Sequence, residues 1–153
     1  MMESDRMPHI TVLIVDKAQA RRTRCLRLLR PEKAILVVGE VRSAIEAVKA
    51  ADTLRPRILL LSWSLLRNNG VSLLPVFRKN SPKTSIILLT NRAPEARILD
   101  AISHGARGYL SQKVLPALLT KAVRVVAEGE AWVPRAMVGR IIDRLARLTA
   151  NGS

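Results

Sequence analysis

Ser62 is the first residue of chemical interest. It stands at the end of RILLLS (residues 57–62), a short apolar run followed by the polar stretch WSLLRNNG and its Asn-Gly pair. In an α/β chain the carboxyl end of a buried strand is where reacting groups usually sit. A serine hydroxyl there is a weak nucleophile that needs a base, and none is near in the sequence. Asp16 stands at the end of a similar run, HITVLIV, with Lys17 beside it. His9 and His104 are isolated, without a serine or carboxylate at triad-like or metal-ligand spacing, and are assigned no catalytic role. The single cysteine, Cys25, predicts neither a disulfide nor a zinc cluster. No nucleophile–base pair, metal cluster or glycine-rich phosphate loop is present, so no enzyme, cofactor or metal is expected.

The elements that would carry Ser62 and Asp16 alternate in type. Apolar runs at 9–15, 34–40, 57–62, 84–90 and 107–111 read as strands. Helical spacing fills 17–30, 43–55, 70–80, 93–106 and 114–130. Ser43 with Glu46 three residues on is a capping-box signature, and Pro75 would open or kink its helix. The pattern predicts a (βα)5 doubly wound parallel five-stranded sheet covered on both faces. Residues 1–8 are expected to be a flexible start, 9–130 one domain, and 131–153 an amphipathic helix or linker. Met137, Ile141, Leu145 and Leu148 form one stripe on that last helix, which must bury somewhere.

At 153 residues, 48% of them hydrophobic and 25% charged, the chain is expected to form one domain with a real core. No apolar run approaches the roughly 20 residues of a membrane span, and a reducing cytoplasm is the expected compartment. Lys plus Arg number 26 against 12 acids, a net charge of +14. A field of that size suits nucleic acid, anionic surfaces or an acidic partner, or is simply a solvated Arg-rich surface. Arg21, Arg22, Arg24 and Arg27 crowd the first helix with no acid among them, and are candidates for polyanion contact.

The segments VLIVDKAQARR, PRILLLSWSLLRNNGVSLL, IILLT and AISHGARGYLSQ together resemble the receiver domain of bacterial response regulators, closest to the NarL/FixJ-like subfamily. The likeness spans about residues 10–130. It implies a phosphoryl group accepted by a carboxylate after the third strand, and Mg²⁺ held by an acidic pair after the first. It also implies a Thr/Ser and a Lys, after strands four and five, that bind the phosphoryl oxygens. At these places the chain has Asp16 followed by Lys17, then Ser62, Thr90 and Gln112, with Lys113 one residue further and expected on the other face. Tyr109 is the aromatic that responds to activation in the family. Asp16 alone holds Mg²⁺ poorly, since a hard dication wants several carboxylate oxygens. The resemblance is therefore to a pseudo-receiver, with a degenerate phosphorylation pocket.

Each pocket residue has two readings. Ser62 is either an acceptor for another kinase or a neutral filler of the Asp volume. Lys17 either places its ammonium on Asp16 where the metal would be, or is a surface lysine. Thr90 and Tyr109 either couple as a switch or pack. Trp63, expected partly exposed at the pocket mouth, either plugs the site or meets a partner. As a whole the chain is expected to signal by protein–protein contact, independent of aspartyl phosphorylation, in transcriptional regulation. By resemblance its homodimer face is the fourth helix, fifth strand and fifth helix (about 94–128). A helix-turn-helix DNA-binding domain would follow in a longer protein. The alternative is a basic DNA-, RNA- or polyanion-binding protein on a receiver scaffold.

Overall fold

The computed structural model describes residues 9–152, and their side chains except those of 67–69 and 151–152. The start expected to be flexible, residues 1–8, lies outside the described residues. Five strands, β1 (Ile10–Val15), β2 (Ile35–Val41), β3 (Ile58–Ser62), β4 (Ser85–Thr90) and β5 (Gly108–Ser111), form one sheet in the order β2-β1-β3-β4-β5. Every pairing is parallel, as expected.

Two-residue periodicity divides the strand side chains between two cores. Val12, Ile14, Ile58, Leu60, Ile87 and Leu89 face one cluster, closed by Cys25 and Leu29 of α1 (Gln19–Leu29) and by Leu119, Val123 and Val126 of α6 (Leu115–Ala127). Leu13, Val15, Leu59, Leu61, Ile86 and Leu88 face the other. That second layer is α2 (Ala44–Leu54), α3 (Trp63–Asn69), α4 (Leu73–Asn80) and α5 (Glu95–Ser103). Both faces being covered is why the strands read as continuous apolar runs.

Local signals set the element ends. The Ser43 hydroxyl accepts from the Glu46 N–H at 3.2 Å, so α2 is capped by Ser43 as the spacing predicts, while the Glu46 carboxylate accepts from the N–H of Arg42, one residue before the cap, at 3.3 Å. Gly105 and Gly129 follow α5 and α6 with φ of 116° and 99°, a left-handed conformation that favours glycine. Pro75 is the third residue of α4, where its nitrogen has no helical partner to lose, so the helix begins there instead of kinking.

Two segments differ from expectation. The stretch after Ser62 is α3, not a polar loop, because Leu65 and Leu66 gain burial in the second core by coiling. Its Asn-Gly pair is the helix end, with Gly70 at φ 72°. Between α6 and the last helix, Trp132 bridges to the outer edge of β5. The Tyr109 N–H donates to the Trp132 carbonyl at 2.8 Å, and the Trp132 N–H donates to the Arg107 carbonyl at 3.0 Å.

The last helix, α7 (Val138–Gly152), is preceded by a 3₁₀ turn (Arg135–Met137). It lies against α5, where Arg140 forks onto Glu95 and Arg144 reaches Asp100 at 3.3 Å. Its expected stripe is only partly covered. Met137 is buried and Ile141 half-buried, whereas Leu145 and Leu148 are exposed, as are Val138 and Ile142. No helix among the described residues is long and apolar enough to cross a membrane.

Burial of Cys25 has a measurable consequence. Desolvation, with a smaller push from the Asp16 charge, raises its thiol from the ordinary 9.0 to about 11. A raised folded-state value favours the neutral thiol, so the stabilisation is complete below pH 9 and is lost as pH rises towards 11. Urea unfolding across that window should show the native chain losing more stability than Cys25→Ala, by as much as about 2 kcal/mol at about 1.4 kcal/mol per pH unit.

Candidate functional site

The parallel register lines up the carboxyl ends of four strands. Val15 pairs with Leu61, Ser62 with Leu89, and Thr90 with Ser111, so Asp16, Ser62 and Thr90 stand on adjacent strand ends about 5 Å apart per strand. All three are buried, and Gln112 joins them from the turn after β5.

Asp16 is 3% exposed and its carboxylate is fully engaged. The Ala18 N–H donates to Oδ1 at 2.9 Å. Arg21, in the first turn of α1, donates through Nε to Oδ2 at 2.7 Å and through a terminal nitrogen to Oδ1 at 2.8 Å. This is the two-pronged geometry that makes Arg–carboxylate pairs strong and directional. The Asp16 hydrogen bond is the main reason the Arg21 guanidinium is held above its ordinary pKa, with burial opposing and the Asp16 charge assisting. Arg22 donates to the carbonyls of Asp16 at 2.7 Å and Lys17 at 3.2 Å, and to Glu40 at 3.3 Å. Arg24 donates to Gln112 Oε1 at 3.3 Å. Three of the four arginines singled out on the first helix thus make internal contacts around the strand ends, and Arg27 is exposed.

Lys17 is exposed, and the cation on Asp16 is Arg21 instead. The α1 turn carries residue 21 back over the carboxylate, which its immediate neighbour does not reach. The Ser62 hydroxyl shares a hydrogen bond with Ser64 at 2.9 Å. Lys113 is exposed, its N–H held by the Ser111 hydroxyl at 3.1 Å. Tyr109 is half-buried, which pushes its phenol up. Trp63, expected partly exposed, is 5% exposed, because α3 starts at that residue and turns the indole into the second core. Arg97 of α5 lies over its ring at 5.7 Å.

The donor set does not fit a divalent cation. Both Asp16 oxygens already accept from Arg21 and the Ala18 N–H, and the flanking groups are an ammonium, two hydroxyls and an amide. Among the described residues no group of three or more His, Cys, Asp or Glu could hold a metal. What this pocket does chemically is neutralise its one carboxylate from within. The Arg21–Asp16 and Arg24–Gln112 contacts had a weak sequence signal at best: cations on the inner face of a helix that follows a strand-end carboxylate.

The nitrate/nitrite response regulator protein NarL of Escherichia coli strain K12 is 29% identical over 127 residues, covering 83% of this chain and 59% of NarL. The DNA-binding transcriptional activator DevR/DosR of Mycobacterium tuberculosis is 27% identical over 136 residues, covering 89% of this chain and 63% of that protein. The chain therefore spans about three fifths of each of these relatives. A LuxR-family two-component response regulator from Aurantimonas sp. SI85-9A1 superposes with a TM-score of 0.77 at 22% identity, over 90% of this chain and 99% of that one. That likeness speaks for the fold. Residues 12–124 match the family model of the response regulator receiver domain, and the chain belongs to that family of signalling domains.

Proposed function

We propose that this receiver domain acts in transcriptional signalling by protein–protein contact, without accepting a phosphoryl group. The observation that carries this reading is the Arg21 fork on Asp16, in a pocket whose third strand ends in Ser62. Phosphoryl transfer needs a nucleophile and cations free to neutralise the charge spreading over the equatorial oxygens. Here Arg21 is committed to Asp16, the residue after Asp16 is Lys17, and the place of the phosphate-binding lysine is taken by Gln112, itself held by Arg24. Resemblance to the family supports a homodimer through α5, β5 and α6. Because α7 packs on α5 and Trp132 pairs with the outer edge of β5, the exposed side of α6 is the part of that face left to make the contact. The named regulators among the relatives support an output to transcription, through a DNA-binding domain beyond residue 153. Polyanion binding by this domain has less support, because Arg21, Arg22 and Arg24 are drawn into internal contacts.

Three measurements test the reading. Radiolabelled acetyl phosphate with Mg²⁺ should leave the chain unlabelled, and label on Ser62 overturns the proposal. Arg21→Ala should lower the urea midpoint with an unchanged slope, a loss of about 2 kcal/mol in unfolding free energy, because a charge-assisted hydrogen-bond pair is lost from a buried carboxylate. Sedimentation velocity over a range of concentrations, with and without a random DNA duplex, should show a dimer that ignores the duplex. A monomer that co-sediments with duplex at low salt and releases it at moderate salt favours polyanion binding instead.

A further inference from the structure

The opposite end of the sheet carries a second site. A groove of about 740 Å³ opens between α7, the ends of α4 and α5, and the amino-terminal ends of β4 and β5. Ser85 lies in it and Thr90 marks the pocket at the other end of β4, so the two are separated by roughly 16 Å of strand. One wall is the uncovered apolar side of α7, with Val138, Ile142 and Leu145 all lining the groove. Arg78, Arg107 and Arg135 line it as well, each of them exposed. Arg78 passes near Gly105, where an added Cβ would lie 3.7 Å from its guanidinium.

Among the described residues no acidic side chain lines the groove, and none of the three guanidiniums is ion-paired. The acids nearest on α5, Glu95 and Asp100, are taken by Arg140 and Arg144. Apolar walls combined with unneutralised cations call for a ligand that is apolar in its body and anionic at one end. The volume lies within the range of about 300–1,000 Å³ typical of small-molecule sites. A second copy of the chain is a poor occupant, because a two-fold interface lays the same patch on itself and would bring three arginines onto three arginines.

We propose that this groove binds a small amphipathic acid, an apolar chain or ring system ending in one carboxylate. The ligand would bridge the receiver core and α7, and so hold the last helix in its docked position. Ligand occupancy would then shift the helix between docked and released populations, a control that needs no phosphoryl chemistry.

Isothermal titration of the full chain with decanoate should give saturable one-site binding. Decyltrimethylammonium, equal in chain length and opposite in charge, should bind at least tenfold more weakly. Ile142→Asp puts a carboxylate into the lining at an exposed position that the fold does not need, and Arg107→Ala removes one rim cation. Each should weaken decanoate at least tenfold while leaving the unfolding midpoint of the free chain unchanged. Decanoate should also slow tryptic cleavage at Arg140, Arg144 and Arg147 in the native chain but not in Ile142→Asp. Absence of saturable decanoate binding, equal binding of the cationic probe, or undiminished binding by Ile142→Asp would each overturn the proposal.

Discussion

A carboxylate as buried as Asp16 has to be paired, because an uncompensated charge in the protein interior costs several kcal/mol. Arg21 supplies the counter-charge, and much of the local architecture follows from how it does so. To bring a guanidinium over both Asp16 oxygens, α1 must start within a few residues of β1 and turn residue 21 inward. That same turn aims Arg22 at the carbonyls of Asp16 and Lys17, and Arg24 at Gln112 beyond the far strand. One helix therefore ties β1, β2 through Glu40, and the turn after β5 into a single polar seam. Breaking the first contact would leave a buried charge unpaired.

The seam explains why the two ends of the sheet differ. At the carboxyl end Asp16 is answered from within by Arg21, Gln112 by Arg24 and Ser62 by Ser64. Trp63 and Arg97 add a cation–π contact on the α3–α5 side, joining the same end to the second helical layer. At the amino-terminal end the apolar side of α7 and three arginines line an open groove. The surplus of cations in the chain is thus of two kinds. Part is spent on internal neutralisation, and part stays available on the surface.

The sequence made the sheet legible because five apolar runs of strand length can only be buried on both faces, and Ser43 with Glu46 fixes where α2 begins. Asp16 and Ser62 were legible as strand-end residues for the same reason, and the family likeness added Thr90 and Gln112. What periodicity does not encode is which long side chain reaches which partner. Lys17 is adjacent to Asp16 in sequence, yet the helix turn delivers Arg21. The polar letters of WSLLRNNG conceal a helix because Leu65 and Leu66 carry the burial, and Trp63 follows them inside. The basic run on α1 is read from composition as one exposed face, whereas the fold turns Arg21, Arg22 and Arg24 towards the strand ends.

On the proposed reading, signalling without phosphoryl chemistry still needs two states and something that favours one of them. The carboxyl-end pocket is a poor place for that choice, because its contacts are buried and mutually supporting. The α5–α7 seam is a better one. Its ion pairs, Arg140 with Glu95 and Arg144 with Asp100, are substantially exposed, and pairs of that kind are worth about 1 kcal/mol or less and are screened by salt. The apolar stripe of α7 is only half used, so docking gains little from Leu145 or Leu148. On the proposed reading, the docking of this helix is the equilibrium that a ligand shifts.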